Sequence, residues 1–525
     1  MNHLSFKSSF NLYRASQIRQ VELRFAKNNP QGTYPLMQAA GKAAFQQLQS
    51  VWPDARKILV LTGKGNNGGD GYLLARLASE QGLKVTLCPF FSADQIQGDA
   101  ILALNSLAAN SVQMVSWDKL KHKGESTANL KQYDLIVDAM LGTGIQGAVR
   151  EPFVEAIAAV NCSGVPVLAI DVPSGLNADS GHRFNQAVKA NATITFVAHK
   201  RGLFTAEAVD HIGQLQLATL DIPPECFTAN ADEPTVVAQN WHSLKGKLQP
   251  RKSSAHKGSF GRCHLIGGAR GMLGAAVLAA TAAARSGSGL TAASVEKGAS
   301  SLVNRCPEVM ALSVGVDDIE VQMEKLENAS TLIVGPGLGR SEWAQSWMQK
   351  LNGNPLLRKK YQVWDADALF WLANNADFDA VDFKGSRILT PHPGEAARLL
   401  GISVEEVAQD RFAASEAIVR RYGGVCVLKG AGTIVSQIDR THASEPIVHS
   451  VCCVGNPAMA SGGMGDVLAG IIGALLAQGF EPYAAATLGV CIHGEAGDRA
   501  AAKLTQHRGM LASDLFSFLP ALLNP

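Results

Sequence analysis

The chain has 525 residues, of which 46% are hydrophobic and 18% charged, with 51 glycines and few aromatic residues. This length predicts two or more domains, and the composition is typical of an α/β enzyme rather than of a disordered or fibrous protein. The net charge of +2 gives no electrostatic reason to expect nucleic acid or an acidic membrane surface as a partner.

The cysteines and the apolar segments indicate a cytoplasmic protein. Nine cysteines, an odd number, are scattered without a CxxC pair, which favours a reduced protein without structural zinc. The N-terminal residues lack the uninterrupted apolar core of a signal peptide, and no apolar run approaches the roughly 18 residues of a membrane-spanning helix. We therefore expect a cytoplasmic location, with neither a membrane nor nucleic acid as a partner.

Apolar strands alternate with helices along most of the chain. The strands of a first series are KILVLTG, KVTLCPF, DLIVDAML and VPVLAIDVPSG, and a helix is predicted from about Asp70 to Gln81. A second series begins near Gly261 with RCHLIGGA, LIVGPGLG, YQVWDADAL, RILTPHPGE and GVCVLKGAGT. Strands separated by helices predict parallel pairing with right-handed crossovers.

A polar, basic stretch without a strong period separates the two series at residues 240–259. We therefore predict two α/β domains, residues 1–240 and residues 241–525. The N-terminal domain is expected to be a Rossmann-like three-layer α/β/α sandwich.

A glycine-rich loop, GKGNNGGDG at residues 63–71, follows the first strand and opens a helix. Gly63, Gly65 and Gly68 match G-x-G-x-x-G, but no acidic residue closes the next strand, so the dinucleotide fingerprint is incomplete. The loop predicts a phosphate-sized turn that carries two amides and the carboxylate of Asp70. The alternative is a tight turn in which Asp70 only stabilises the first helical turn.

Two further strands of this half end in aspartate. Asp138 precedes the flexible segment LGTGIQGAVRE, and Asp171 precedes a turn that contains Ser174. Because ligands of open parallel sheets lie outside the carboxyl ends of the strands, the three loops should converge. Such a site could hold a cation, and one buried carboxylate could act as an acid or a base.

Together the NNGGDG loop, the LGTG turn, the DVPSG turn and the FVAHKRGL segment resemble the epimerase domain of the NAD(P)H-hydrate repair enzymes. The resemblance covers roughly the first 220 residues, although Lys64 stands where members often have Pro. It implies that Asp171 contacts the substrate and is the first choice for proton transfer, and that Asn67, Asp138 and Ser174 bind K⁺. The implied substrate-binding residues are Asn66, Asn67, Gly68, Gly69, Asp70, Gly142, Thr143, Gly144, Ile145, Gln146, Gly147 and Ala148.

Two strand ends of the second half carry candidate ligand contacts. KGAGT, residues 429–433, follows an apolar strand. Lys429 there could be a solvated surface charge, but its place after the strand favours a nucleotide phosphate contact. In TPHPGE, residues 390–395, prolines hold the turn rigid around His392, which is either structural or a ligand contact.

Other turns of this half offer close backbone approach and carboxylates. GPGLG, residues 335–339, lets a substrate approach the backbone, and a helix is predicted from Leu273. Asp365 and Asp367 in DADAL stand at a strand end, where they could bind magnesium or a hydroxyl group.

A run of small residues up to Gly465 leads into Asp466 and an apolar helix. Free N–H groups at a helix start form an anion site, beside which a carboxylate is not needed for binding. Asp466 is therefore either a base that deprotonates a hydroxyl group or simply the N-cap of its helix.

These motifs, from about Phe260 to the C-terminus, resemble the ADP-dependent NAD(P)H-hydrate dehydratase domain, which has a ribokinase-like fold. The resemblance implies that ADP is the co-substrate and Mg²⁺ the metal. The implied nucleotide-binding residues are Lys429, Gly430, Ala431, Gly432, Thr433 and Gly465. The implied contacts to the hydrated cofactor are Ala276, Gly337, Gly339, His392 and the catalytic Asp466.

The two resemblances imply one repair task divided over two domains. The first domain would epimerise the R and S hydrates of NADH and NADPH (NADHX and NADPHX). The second would dehydrate the S hydrate with ADP, releasing AMP and phosphate. We expect these small molecules as partners, and a homo-oligomer. The alternatives are a hydroxyethylthiazole- or sugar-type kinase with an N-terminal nucleotide-binding module, and a first domain that only binds nucleotides or proteins.

Overall fold

The computed structural model describes residues 7–107, 112–121, 130–145, 147–227, 235–375, 386–442, 444–504 and 508–525. These residues form two compact units, one of residues 11–227 and one of residues 7–10 together with 235–525. The division lies a few residues before the predicted boundary at 240/241. The strand Val236–Gln239, assigned by the prediction to the first domain, pairs parallel with Ile447–Cys452 of the second.

A parallel sheet forms the centre of the N-terminal unit. Strand β1 (Phe10–Leu12) comes first in the chain, and the strands of this sheet are β2 (Lys57–Thr62), β3 (Lys84–Pro89), β4 (Gln113–Met114), β5 (Leu135–Ala139), β6 (Val167–Ile170), β7 (Ala192–Phe196) and β8 (Gln214–Ala218). Their order is β4-β3-β2-β5-β6-β7-β8, and each described pair is parallel. The helices are α1 (Ala15–Lys27), α2 (Tyr34–Val51), α3 (Asn66–Glu80), α4 (Asp99–Asn105), α5 (Trp117–Leu120) and α6 (Phe153–Ser163).

Successive side chains of β2 enter different cores, because side chains alternate between the two faces of a sheet. Ile58 and Val60 belong to a core that includes residues of α1, α2 and α3, whereas Leu59 and Leu61 belong to a core with residues of α6. Helices therefore cover both faces, which confirms the predicted three-layer sandwich and explains why β2 is a continuous apolar run.

The C-terminal unit has a larger, mixed sheet. Its strands are β9 (Val236–Gln239), β10 (Arg262–Ile266), β11 (Leu290–Val295), β12 (Val309–Ser313), β13 (Thr331–Val334), β14 (Tyr361–Trp364), β15 (Arg387–Leu389), β16 (Val425–Leu428), β17 (Thr433–Ile438) and β18 (Ile447–Cys452). The order is β1-β9-β18-β17-β16-β15-β14-β13-β10-β11-β12. The run from β16 to β12 is parallel, and β17 is antiparallel to both of its neighbours.

Helices cover both faces of this sheet too. They are α7 (Trp241–Leu244), α8 (Leu273–Arg285), α9 (Ala299–Arg305), α10 (Ile319–Leu326), α11 (Glu342–Gly353), α12 (Pro355–Arg358), α13 (Asp367–Asn374), α14 (Pro393–Leu400), α15 (Val404–Gln409), α16 (Arg411–Tyr422), α17 (Met464–Ala477), α18 (Pro482–Leu504) and α19 (Leu519–Leu523). Two separate cores take alternate residues of the strands: Leu265 lies in one and Ile266 in the other. The predicted fold class, two α/β domains, is thus confirmed.

Helices α8 and α17 lie in unusually close contact. A Cβ atom at Gly470 of α17 would collide with the carbonyl oxygen of Ala279 in α8, so only glycine lets the two backbones approach this far. The contact fixes the buried helix α17, whose first turn carries Asp466. Among the helices that the structure describes, none is both long and apolar enough to cross a bilayer.

Candidate active sites

The three predicted loops of the N-terminal unit converge at the carboxyl ends of β2, β5 and β6. A Cβ atom at Gly63 would collide with the carbonyl oxygen of Met140, which shows how closely the first two loops pack. The Asn67 side chain donates to the Leu141 carbonyl at 3.1 Å, and the Ser174 hydroxyl donates to Asp138 Oδ1 at 2.6 Å. One site therefore receives side chains from all three loops.

Helix α3 begins at Asn66, not near Asp70 as the sequence predicted. Gly65 is its extended N-cap, and the segment Asn66–Asp70 forms the first turns of the helix instead of a loop. Glycine lowers the helix propensity of the segment without preventing a helix. The prediction from glycine content therefore put the start of the helix too late. The Gly69 N–H already donates to the Gly65 carbonyl, so the free N–H groups of the helix start lie at residues 66–68, where they can meet an anion.

Asp138 and Asn67 present oxygen atoms to the interior of this site. Asp138 is fully buried, and the Ser174 N–H donates to its Oδ2 at 2.8 Å. Burial raises the pKa of Asp138 to about 6, against the opposing effect of the Ser174 hydrogen bonds. Asn67 Oδ1 is buried and has no hydrogen-bond partner among the described residues. A buried carboxylate beside an unpaired amide oxygen and a hydroxyl group suits a cation.

Asp171 forms an ion pair with the buried Lys200, a contact that the sequence did not predict. Its Oδ1 accepts hydrogen bonds from the Lys200 ammonium, the Thr195 hydroxyl (3.2 Å) and the Phe196 N–H (3.2 Å). Asp171 has a φ of 63°, a strained conformation for a residue with a side chain and one that is typical of functional sites. Lys200 lies in the FVAHKRGL segment, so the motif was seen but its lysine was given no role.

Two more carboxyl groups share this environment. Burial raises the pKa of Asp70 well above its usual value, and the nearby charges of Asp171 and Glu22 raise it further. Glu22 comes from α1, and burial raises its pKa as well. No motif marks Glu22, because it reaches the site only through the packing of α1.

The predicted cofactor-binding segment after β5 is mostly exposed. Gly142 lies close to the first loop, since a Cβ atom there would be 3.1 Å from Asn67 Cβ. Ile145 is half-buried, and the exposed members are Thr143, Gly144, Gly147 and Ala148. Gln146 lies outside the described residues.

In the C-terminal unit, Asp466 is the third residue of α17 and does not cap the helix. The N-cap is Gly463, with a φ of 89°. Burial raises the pKa of Asp466 to about 7, and the charge of Asp365 raises it further, while Lys429 opposes the change. The geometry thus removes the N-cap alternative and leaves a carboxyl group suited to proton transfer near neutral pH.

Lys429 lies in a cluster of carboxylates, so it is not a solvated surface charge. Its Nζ lies 2.7 Å from Asp365 Oδ1 and 3.8 Å from Glu395 Oε2. Burial opposes the charge, but the two carboxylates outweigh it and raise the pKa of Lys429. A Cβ atom at Gly465 would lie 3.2 Å from both Asp365 Oδ2 and Lys429 Nζ, which places the start of α17 directly against this pair.

Arg411, which the sequence analysis missed, fixes the loop of residues 429–433 through hydrogen bonds to backbone carbonyls. Its guanidinium group is buried and donates to the carbonyl oxygens of Leu428, Lys429, Ala431 and Gly432 at 2.5–3.2 Å. Thr433 donates to the Gly430 carbonyl at 2.9 Å. With these carbonyls bound to Arg411, the loop has a defined shape before any ligand binds.

The remaining predicted contacts differ in their accessibility. His392 is exposed and caps α14, because its Nδ1 accepts the N–H groups of Gly394 (3.0 Å) and Glu395 (3.4 Å). Gly339 donates its N–H to Asp367 Oδ2 at 2.9 Å, and Gly337 lies against Met272, just before α8. Ala276 is fully buried, so the structure does not bring its side chain to an open surface.

The two units and their sites define an α/β enzyme of two domains, each with its reactive side chains at the carboxyl ends of a mainly parallel sheet. A family model described as NAD(P)H-hydrate dehydratase matches residues 263–521, and one described as YjeF-related protein N-terminus matches residues 33–202. The chain belongs to the family of bifunctional NAD(P)H-hydrate repair enzymes.

Relatives of this family match both domains at once. The bifunctional NAD(P)H-hydrate repair enzyme Nnr of Coxiella burnetii is 44% identical, over 98% of this chain and 99% of its own. The enzyme of the same name from Escherichia coli is 41% identical, over 98% of this chain and 94% of its own. Membership of this family sets aside the alternative of a small-molecule kinase with a binding module.

Solved structures match about half of this chain. A ribokinase-like superfamily protein from Enterococcus faecalis is 29% identical, with a TM-score of 0.48, over 55% of this chain and 96% of that chain. The ADP/ATP-dependent NAD(P)H-hydrate dehydratase of Bacillus subtilis, co-crystallised with ATP and Mg²⁺, is 27% identical, with a TM-score of 0.45, over 54% of this chain and 96% of that chain.

Proposed function

We propose that this chain repairs hydrated nicotinamide cofactors in the cytoplasm. The N-terminal unit epimerises the R and S hydrates of NADH and NADPH, and the C-terminal unit dehydrates the S hydrate with ADP. The observation that carries the proposal is the position of Asp466, with its raised pKa, at the start of a buried helix where the preceding Gly465 lies against Lys429. The similarity of both domains to bifunctional NAD(P)H-hydrate repair enzymes supports the pairing of the two activities.

Dehydration requires a better leaving group than hydroxide. Asp466 takes the proton of the substrate hydroxyl, whose oxygen then attacks the terminal phosphorus of ADP and releases AMP. The C–O bond of the phosphate ester that forms then breaks, phosphate leaves, and loss of a proton from the neighbouring ring carbon restores the double bond. The N–H groups at the start of α17 stabilise the transferring phosphoryl group.

The loop of residues 429–433 is the proposed nucleotide site. Lys429 is held in place by Asp365 and Glu395, so its ammonium group can contact a phosphate without first being ordered. The backbone of Gly430–Thr433, fixed by Arg411, and Gly465 at the start of α17 complete the site. The choice of ADP over ATP rests on the family resemblance.

Magnesium is the proposed metal of the nucleotide site. The oxygen ligands that Mg²⁺ prefers are offered there by Asp365 and Glu395. In the described residues, however, no group of three or more His, Cys, Asp or Glu side chains could hold a metal ion. Magnesium is therefore expected to bind mainly through phosphate oxygens, where it supplies charge screening during phosphoryl transfer.

Potassium is the proposed ion of the epimerase site. Asn67 Oδ1, the Asp138 carboxylate and the Ser174 hydroxyl are oxygen ligands that fit a monovalent cation, and Asn67 Oδ1 has no other partner among the described residues. The cation would hold the loops after β2, β5 and β6 in one arrangement. Asn66–Asp70 and Gly142–Ala148 are the proposed contacts to the hydrated cofactor.

The test is a repair assay on the purified full-length chain with each pure hydrate. With Mg²⁺, K⁺ and ADP, we expect the S hydrate of NADH to regain the absorbance at 340 nm without a lag, and the R hydrate to regain it through the S form. Omitting ADP should prevent recovery from both. If the folded protein restores no absorbance from the S hydrate with ADP or ATP, the proposed function is wrong.

A further inference from the structure

Four charged or titratable side chains of the N-terminal unit form one cluster: Asp70, Asp171, Glu22 and Lys200. Each of the three carboxyl groups is affected by the charge of another member, and Lys200 is their shared cation. The adjacent His199 adds no positive charge near neutral pH, because burial lowers its pKa to about 4. Three ionised carboxylates around one ammonium group would leave a buried excess of negative charge, so the cluster favours one protonated carboxyl group.

The two aspartates of this cluster have opposite hydrogen-bond environments. Asp171 Oδ1 accepts hydrogen bonds from Lys200, Thr195 and Phe196, whereas Asp171 Oδ2 accepts none within the described residues. Lys200 is itself fixed, since it also donates to Thr195 Oγ1 at 3.0 Å and to the Phe196 carbonyl at 2.9 Å. Three donors thus hold one oxygen of the Asp171 side chain in place, and the other oxygen is left for a substrate proton.

The Asp70 carboxyl group lacks such support. It is buried, and no donor in the described part of the chain forms a hydrogen bond with it. The carboxylates of Asp171 and Glu22 both disfavour its ionised form, and burial does so most strongly. Environments that separate the protonation of two neighbouring carboxyl groups identify an acid and a base.

Epimerisation of a hydrated nicotinamide needs such a pair. Water adds so that the hydroxyl group sits on the ring carbon next to nitrogen, and a carbon that bears both atoms can open the ring. A base takes the hydroxyl proton, the O–H electron pair forms a C=O bond, the C–N bond breaks, and its electron pair takes a proton at nitrogen. Rotation of the aldehyde and the reverse steps close the opposite epimer and return both protons.

We propose that Asp171 and Asp70 divide these two transfers, with Asp171 as the base at the hydroxyl group and Asp70 as the acid at the ring nitrogen. Lys200 is the positioning residue that assigns the roles, because it pairs with Asp171 and leaves Asp70 without a donor. The inference rests on the proposed function and adds a second catalytic residue to its epimerase half.

The first experiment measures conversion of pure R hydrate to S hydrate, with the uncatalysed rate subtracted. We expect Asp70→Asn to lower kcat about 100-fold or more, in line with the loss of a general acid. The same preparation should dehydrate pure S hydrate at the wild-type rate, which verifies the fold and the other domain. Glu80→Gln, an exposed charge change at the end of the same helix, is the matched control and should leave both rates unchanged.

A pH profile separates an acid from a structural carboxyl group. Wild-type epimerisation should fall as pH rises through the raised pKa of Asp70, because the acid must be protonated. Glu22→Gln removes a negative charge that raises this pKa, so the alkaline limb should move to lower pH. Lys200→Gln should lower kcat more than it changes KM, and Lys200→Arg should restore part of the rate.

The outcomes are distinguishable from failure of the proposed function. If wild type converts R hydrate but Asp70→Asn does so equally fast, or if Glu22→Gln leaves the alkaline limb in place, the division of roles is overturned. If wild type itself neither epimerises R hydrate nor dehydrates S hydrate, the proposed function fails first. If Asp70→Asn does not fold, the pH profile of epimerisation by Glu22→Gln still tests whether Asp70 is the acid.

Discussion

The reactivity of Asp466 depends on its position in the first turn of α17. A carboxyl group with a pKa of about 7 is partly ionised at neutral pH and is also a much stronger base than an exposed aspartate. Its neighbour Lys429 shows the complementary effect, because two carboxylates keep an otherwise costly buried ammonium group charged. The reactivity of both side chains follows from burial and pairing, not from residue type alone.

The first prediction concerns the pH dependence of dehydration. Because Asp466 accepts a proton, it must be ionised, and its raised pKa means that it is protonated below about pH 7. We therefore expect kcat for the S hydrate to rise with pH through about 7 and then level off. Asp466→Asn should lower kcat by about 10²–10⁴-fold. The measurement is the recovery of absorbance at 340 nm across a pH series.

Nucleotide affinity shows whether Asp466→Asn has lost the catalytic base or the nucleotide site. Asp466→Asn should still bind ADP, measured by calorimetry, because the proposed phosphate contacts come from Lys429 and the backbone. Glu342→Gln, at the exposed start of α11, is the control and should retain wild-type kinetics. Turnover by Asp466→Asn at the wild-type rate would refute the assignment of the base.

The second prediction concerns the cation of the epimerase site. Replacing K⁺ by the smaller Li⁺ should slow conversion of R hydrate to S hydrate, because the ligands Asn67 Oδ1 and Asp138 would no longer surround a cation of matching size. Dehydration of pure S hydrate should not change with this replacement. Asp138→Asn should remove the response to K⁺ by removing the buried charge. Equal rates of epimerisation in K⁺ and Li⁺ would argue against a potassium site.

At the scale of elements, apolar runs and strand-end motifs predicted most of the architecture. The strands that contain KILVLTG, DLIVDAML and GVCVLKGAGT lie close to their predicted positions, because a strand buried on both faces must be apolar throughout. Convergence of the loops then follows from parallel pairing alone. The same pattern predicts strand-end positions for Asp138, Asp171 and Lys429, and the structure has all three there.

What the sequence did not predict depends on contacts distant along the chain. Glu22 reaches its site through the packing of α1, and Arg411 reaches the loop of residues 429–433 through the packing of α16. The conformation of the turn after β7 brings Lys200 to its partner Asp171. No local pattern marks Glu22 or Arg411, and the FVAHKRGL motif does not show what Lys200 contacts, so only the folded structure gives these residues a role.

The third prediction tests the contact between α8 and α17. Gly470→Ala places a methyl group against the Ala279 carbonyl, and we expect it to destabilise the C-terminal unit by about 1–3 kcal/mol. At this domain size that corresponds to a fall of several degrees in Tm. Calorimetry of the full chain would measure the shift.

Gly274 in α8 offers a matched control. It is exposed, and a Cβ atom there would meet nothing within 4 Å. Gly274→Ala should therefore keep or slightly raise Tm, because alanine favours a helix over glycine by up to about 1 kcal/mol. If both variants melt like wild type, the close approach of α8 and α17 is not needed for stability.

At the scale of the molecule, two sites of different chemistry share one chain and one substrate. The N-terminal unit is expected to interconvert epimers, while the C-terminal unit consumes only one of them. Nothing in this division requires that both steps occur in the same protein molecule. A homo-oligomer stays a prediction, which light scattering of the purified chain would check.

The fourth prediction is that two half-active variants complement each other. Asp171→Asn should dehydrate S hydrate but not epimerise, and Asp466→Asn should epimerise but not dehydrate. Mixed in equal amounts with ADP, they should restore NADH from R hydrate much faster than either alone, because the S hydrate passes between molecules through solution. If the mixture is no faster than its components, either the residue assignments are wrong or the intermediate does not leave the chain.

The ion pairs of Lys429 also bear on what happens after the reaction. Each turnover produces inorganic phosphate, and a bare buried ammonium group would retain it. With Asp365 at 2.7 Å and Glu395 at 3.8 Å, the lysine recovers carboxylate partners as soon as the phosphate departs. The cluster is therefore expected to limit product inhibition. We expect phosphate to inhibit only at concentrations far above those at which ADP saturates the enzyme, and Glu395→Gln, which removes one competing carboxylate, to lower its inhibition constant.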